Sequence, residues 1–364
     1  MPRIIVIGAG VIGASVAFRL AEAGAAVTVL EAGRPGGGTS GASFAWLNAH
    51  EKPPRAYHDL NVGGMRAHAA LADELGAAPW LHGGGSLEWV SENRRLAQAA
   101  NVERLRAWGY AAEWITRAEL AELEPDIDPE AVGEAPVAFF ADEGWLDPVP
   151  YGHAMLRLAR RHGAQVLAGV VVREIALRAG RVTGARTADG VLHGADAVVN
   201  CAGRWVNDPL PEDIRLPMAP TRGLLVFTPP VASGLARVVH APEVNVRPDG
   251  AGRLMLIADH EEFGTEAPPD PALPAARDLV RRACRLLPTI GAVECEAARI
   301  GTRAIPGDRL SAAGELPGTV GLYVAVTHSG VTLAALLGRA VADEIMHVRE
   351  HPELAPFRPV RFFG

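Results

Sequence analysis

The residues with the strongest chemical signal stand at the start of the chain. Gly8-Ala9-Gly10-Val11-Ile12-Gly13 is a G-x-G-x-x-G, and Glu31 follows Gly13 by 18 residues. At this spacing Gly8 permits a tight turn, Gly10 admits a pyrophosphate to the backbone, and Gly13 lets a helix approach a strand. The free N–H groups around Val11 and Ile12, at the positive end of a helix dipole, suit phosphate. Glu31 suits the hydroxyls of an adenosine ribose. The stretch 32–43, rich in glycine and small residues, contains Ala32, Arg34, Thr39, Ser40 and Ala42. It is expected to close over the pyrophosphate, with Thr39 and Ser40 as hydroxyl donors.

A second device of the same kind lies near the other end. His328-Ser329-Gly330-Val331-Thr332 opens a helical pattern directly after an apolar run. Its free N–H groups face whatever lies over them. Two helix starts on one sheet serve two negative regions of one ligand. In a flavin these are the pyrophosphate and the N1/C2 carbonyl region, whereas a nicotinamide has no anionic ring; the pair therefore favours flavin over NAD. His50, His240, His260 and His328 fall near predicted strand ends or loops at a lobe junction, and His328 has the best claim to a site. Ser329 beside it lacks the G-x-S-x-G elbow of a hydrolase.

The elements that must position these residues read as α/β. An apolar strand over 2–7, a helix over 14–23 and a strand over 27–30 form the opening unit. Helices are expected over 56–75, 94–108, 150–162, 275–287 and 333–349. Strands are expected over 137–140, 165–175, 182–187, 197–201, 297–303 and 321–326. Thr116 and Glu119 have the spacing of a capping box. Between 215 and 263, short strands, prolines and turns succeed one another, the pattern of an antiparallel sheet. The expected architecture is a Rossmann-like FAD-binding domain over 1–80, 135–212 and 295–364. A second, α+β substrate domain built on an antiparallel sheet takes 81–134 and 213–294.

Composition sets outer limits. A chain of 364 residues exceeds one hydrophobic core, so two lobes are expected. A net charge of -7 speaks against a nucleic-acid surface. No apolar run reaches the length of a membrane span. The three cysteines, Cys201, Cys284 and Cys295, lack metal or disulfide spacing and fit a reducing cytoplasm; no metal is expected. Lys52 is the only lysine among 35 basic residues.

Taken together, the chain resembles the D-amino-acid oxidase, glycine oxidase and monomeric sarcosine oxidase superfamily of flavoproteins. The stretches that carry the resemblance are 5–13 with Glu31, Thr39-Ser40, Glu143-Gly144-Trp145-Leu146-Asp147-Pro148, 195–205, Thr221-Arg222-Gly223, and Arg303 with Asp308. It implies FAD as cofactor and hydride transfer from an amine-bearing carbon to flavin N5. The imine is then hydrolysed, and electrons pass to oxygen or another acceptor. It also implies an adenine contact at Val172, a turn near the pyrophosphate at Cys201, Ala202 and Gly203 with Trp205 beyond, and a carboxylate-binding Arg at Arg303. Departures are as telling. A Tyr common on the central substrate strand is replaced by Asn245, with Arg247 close by. No cysteine stands near 301–303, so FAD is expected to be non-covalent. Lys52 lies outside the strand where relatives place a lysine over the flavin, so that role falls to His or Arg or is absent. The expected ligands are a small amine or amino acid and an electron acceptor. The competing readings are a flavin-binding subunit of a larger assembly and a NAD-linked dehydrogenase.

Overall fold

The computed structural model describes residues 1–258, 270 and 272–364. His260 lies outside the described residues. The opening unit forms as its pattern dictates: strand Arg3–Ile7, helix Val11–Glu22 and strand Ala26–Glu31. The strand residues Ile4 to Ile7 and the helix residues Ala14, Val16, Ala17 and Leu20 are buried. Small side chains on the helix allow close packing: a Cβ at Gly13 would sit 2.0 Å from the Gly8 carbonyl oxygen.

This unit is the centre of a six-stranded sheet. Strand Arg3–Ile7 pairs in parallel with Ala26–Glu31 on one side and Ala197–Asn200 on the other. Gln165–Ala168 and Leu322–Val326 extend it in parallel, and Ala312–Glu315 adds an antiparallel edge. The helix Gly330–His347 returns against the first helix, close enough that a Cβ at Gly338 would lie 2.7 Å from Ser15 Cβ. Helix Pro148–Arg161 covers the same face, and its Tyr151 hydroxyl lies 2.6 Å from Ser15 Oγ.

A second, eight-stranded sheet runs Ala297–Thr302, Arg222–Phe227, Arg253–Ile257, Asn245–Asp249, Val238–His240, Ser86–Glu88, Val137–Phe140, Glu113–Ile115. Helix Pro274–Leu286 packs its apolar face on it. Three sequence expectations change here. Strands 137–140 and 297–302 were assigned to the first lobe, yet they hydrogen-bond into this sheet. The sheet is not wholly antiparallel, because Val238–His240 and Ser86–Glu88 pair in parallel. The single strand over 165–175 is two strands. Gly169, at φ +76°, breaks it, and Val172–Arg178 turns away into a separate three-stranded sheet. Strand periodicity looked continuous across that glycine because both halves are apolar.

The capping box is present. The Thr116 side chain accepts from the Glu119 N–H, and Glu119 accepts from the Thr116 N–H.

Candidate cofactor and substrate site

A cleft of about 1310 Å³ opens along the C-terminal ends of the parallel strands and continues under the eight-stranded sheet. Open α/β sheets bind ligands at this edge. The volume exceeds the 300–1,000 Å³ typical of a single small-molecule pocket. Both helix starts read from the sequence lie in its wall, Gly10 to Ile12 at one and Thr327 to Thr332 at the other. Neither carries a side-chain cap.

At the first helix start, every group has a structural cause. Gly8 adopts φ +93°, and a Cβ there would lie 2.7 Å from the Cys201 carbonyl oxygen. Glu31 receives the Ala9 N–H at 2.7 Å on one carboxylate oxygen and the Gly33 N–H at 2.8 Å on the other. Each oxygen keeps a second lone pair for a hydroxyl donor. Ser40 Oγ accepts the Val11 N–H at 3.1 Å and keeps its own proton. Thr39 does not match its expected role. Its hydroxyl donates to the Thr302 carbonyl at 2.7 Å, tying the loop to the second sheet. Ala32, Arg34, Ala42, Val172, Ala202, Gly203 and Trp205 all line the same cleft. Trp205 lies at the rim under the Arg204 guanidinium, 4.0 Å from its ring centroid. Cys201 also lines the cleft, but burial pushes its thiol up to about 12, which keeps it protonated.

At the second helix start, Ser329 and Thr327 are held in a buried hydroxyl network. Tyr57 donates to Ser329 Oγ at 2.9 Å, and Ser311 donates to Thr327 Oγ1 at 2.8 Å. Ser329 therefore serves the turn rather than acting as a nucleophile. His328 lines the cleft and is exposed within it. The protein atoms around it, with the positive charges of Lys52, Arg303 and Arg309, lower its pKa to about 3. It is a neutral imidazole at physiological pH. Arg303 is half-buried in the cleft wall, and its Nη1 donates to Thr221 Oγ1 at 3.1 Å. Asp308, five residues on, is taken by Arg361 at 2.7 Å.

The structure removes three other candidates from the cleft. Arg247 is 1% exposed; it donates through Nε to the Phe44 carbonyl at 2.6 Å and lies 3.5 Å from Asp249. It anchors the cleft wall from behind. Asn245, also 1% exposed, borders a small side cavity with Glu51, Glu88 and His240 instead. His50 is buried between two carboxylates. Its Nδ1 meets Glu143 at 3.0 Å and its Nε2 meets Glu88 at 3.0 Å, with the ring stacked on Phe140 at 4.0 Å. Burial by itself lowers its pKa, but the charges and hydrogen bonds of Glu143 and Glu88 outweigh this and raise it to about 10.

Glu143 is the residue that sequence reasoning missed. Its carboxylate accepts from Tyr110 at 2.6 Å, Ser86 at 2.7 Å, Trp46 Nε1 at 3.0 Å and the Ala49 N–H at 3.1 Å. It fixes the segment whose Trp46 and Asn48 line the cleft. The only available signal was its place at the head of Glu143-Gly144-Trp145-Leu146-Asp147-Pro148. Lys52 lies outside any strand, as expected, and lines the cleft from the loop before helix Arg55–Leu75.

A parallel sheet carrying the glycine turn, with a long cleft running under a second sheet, is the architecture of a nucleotide-binding α/β protein. Residues 3–344 match the family model described as FAD dependent oxidoreductase, and the chain belongs to that family. The protein is an enzyme and its cofactor is FAD. It is 28% identical to a glycine oxidase of Bacillus licheniformis over 94% of this chain and 92% of that protein. It is 24% identical to hydrogen cyanide synthase subunit HcnC of Pseudomonas aeruginosa over 99% and 96%. The crystal structure of glycine oxidase from Geobacillus kaustophilus superposes with a TM-score of 0.88 at 25% identity, covering 100% of both chains. The expected fold class holds. Among the described residues, no helix is long and apolar enough to cross a membrane.

Proposed function

We propose that this enzyme oxidises the C–N bond of a small amino acid, holding the substrate carboxylate on Arg303. The observation that carries this reading is the charge arrangement around His328. Arg303, Arg309 and Lys52 line the same cleft as His328 and act electrostatically on its neutral imidazole. A guanidinium matches a carboxylate through two parallel hydrogen bonds. The similarity to glycine oxidases supports the same class of substrate.

Gly8, Gly10, Val11, Ile12, Gly13 and Glu31 hold the dinucleotide end of FAD, with Ser40 as a hydroxyl donor. Val172, Ala202 and Gly203 border the adenosine side, and His328 to Thr332 border the ring. FAD supplies a two-electron acceptor for hydride from the carbon that bears the amine. Arg303 orients that carbon. His328, being neutral, accepts or donates a hydrogen bond without adding charge. The amine reacts in its deprotonated form, so no strong base is required of the protein. The imine product is released and hydrolysed in water. Three unpaired thiols, Cys201 buried and Cys284 and Cys295 half-buried, suit a cytoplasmic enzyme.

The test is anaerobic titration of the FAD-loaded protein with a panel of amines and of D- and L-amino acids. Bleaching of the flavin by a member of the panel is expected. A protein that binds FAD yet is reduced by none of them would overturn the proposal. A second reading, a dehydrogenase subunit passing electrons to a partner, is favoured by the similarity to HcnC. Admitting air after bleaching separates the two: recovery of colour indicates an oxidase, and persistent bleaching indicates a subunit.

A further inference from the structure

Residues 352–363 line no part of the cleft, yet they hold a turn of its wall. Two short helical turns, Pro352–Phe357 and Pro359–Phe362, follow the helix Gly330–His347. They lie beyond residue 344, where the match to the family ends. Leu354 and Phe357 are fully buried and pack with Tyr57, Leu333 and Leu337, and burial of two large apolar side chains fixes the segment to the domain. Arg358 adds polar ties: its Nη1 donates to Glu344 at 2.9 Å and to the Ala313 carbonyl at 3.3 Å. Arg361 then reaches the cleft wall. Its Nε and Nη2 donate to the two oxygens of Asp308 at 2.7 Å and 3.1 Å, while Nη1 donates to the Arg358 carbonyl at 3.1 Å. A fork of this kind fixes direction as well as distance. The turn it grips needs a hold. Asp308, Arg309 and Leu310 all line the cleft, and Arg309 adopts φ +66°. A non-glycine residue keeps that conformation only where its surroundings over-determine it. Here the Arg309 N–H closes on the Pro306 carbonyl at 2.8 Å, and Asp308 Oδ1 accepts the Leu310 N–H at 3.1 Å.

We propose that Arg361 is a positioning residue: the segment 352–363, anchored by Leu354 and Phe357, clamps the turn 306–310 through the Arg361–Asp308 pair and so sets the shape of the cleft wall before substrate arrives. Arg361 acts on the site only through Asp308. The inference rests on the proposed amine oxidation for its kinetic readout and on the fold alone for its exchange readout.

The experiment uses the FAD-loaded full chain. Amide hydrogen exchange is followed by mass spectrometry in peptides covering 304–312, with peptides covering 3–7 and 26–31 as reference. In Arg361→Gln, exchange over 306–310 should rise about tenfold, the low end for hydrogen bonds to a charged group because the pair is partly open to water. The reference peptides should not change. Arg361→Lys keeps the charge and loses the fork, so it should recover only part of the protection. Asp308→Asn retains an oxygen for the Leu310 N–H and should match Arg361→Gln. Combining the two should add nothing further, because both remove one interaction. In Arg361→Gln the KM of the amine that best reduces the flavin should rise about tenfold, with kcat and FAD retention nearly unchanged, the pattern of lost ground-state binding. Unchanged exchange over 306–310 would overturn the clamp. A rise shared by 3–7 and 26–31 would overturn it too, because the pair would then serve only the stability of the fold. A local rise with KM and kcat both unchanged would overturn the positioning role. A protein reduced by no amine removes the oxidation, and the exchange measurement still decides the clamp.

Discussion

Arg303 and Glu31 illustrate how residue type and surroundings share a role. Arg303 lines the cleft with its Nη1 donating to Thr221 Oγ1, while Asp308 is held by Arg361. Arg303→Ala should lower kcat/KM for flavin reduction by about 30-fold or more, the loss that follows truncating one partner of a buried charge pair. FAD affinity should change little; stopped-flow reduction and equilibrium dialysis of FAD separate the two effects. Equal loss of FAD would place Arg303 in the cofactor site. Glu31 holds two backbone N–H groups of the nucleotide loop and offers lone pairs outward. Glu31→Ala should weaken FAD binding about tenfold or more without altering the order of preferred substrates. Fluorescence titration with FAD measures the first and a substrate panel the second.

The strand–turn–helix element depends on contacts that admit no Cβ. Gly13→Ala places its methyl 2.0 Å from the Gly8 carbonyl oxygen, which is backbone and cannot swing aside. The helix must shift, at roughly 1–3 kcal/mol for an overpacked core contact. The expected outcome is a lower Tm together with loss of bound FAD on gel filtration; a variant that keeps both would show that the helix is free to move. The second helix start is held differently, by hydroxyl bonds among Tyr57, Ser329, Thr327 and Ser311 and by His68, whose Nε2 meets the Val331 carbonyl at 2.9 Å. Burial lowers His68 to about 4, so it works as a neutral donor over the physiological range.

At the scale of the molecule, the buried His50 ties together distant segments of the chain through Glu143 and Glu88. Its folded pKa, near 10, lies above the ordinary 6.5. The stabilisation is therefore complete below pH 6.5 and is lost progressively as pH rises towards 10. Glu88, which burial would raise, is drawn down to about 2, chiefly by His50, so its share is complete above pH 4.5 and is lost on acidification towards pH 2. Thermal unfolding followed from pH 6 to 10 should show Tm falling with pH. His50→Gln should be less stable at pH 6 and should flatten that fall. An unchanged slope would mean that the imidazole carries no charge in the native state.

The opening unit was legible in the sequence because its constraints are local. A turn, a phosphate-facing helix start and an acid at a strand tip are set by glycines and spacing within about thirty residues. The helix start at His328 was legible for the same reason. Depth was not. Arg247 and His50 carry the right chemistry for a site, and only the folded chain shows Arg247 spent on Phe44 and His50 enclosed by Glu88 and Glu143. That the loop carrying Lys52 returns to the cleft was not legible, because spacing along the chain says nothing about where a loop returns. The sequence by itself therefore determined that a dinucleotide binds, since neighbours along the chain build the glycine turn and the helix start behind it. Which cations line the cleft was decided by tertiary structure alone, because its wall is assembled from segments as distant as Lys52, Arg303 and His328.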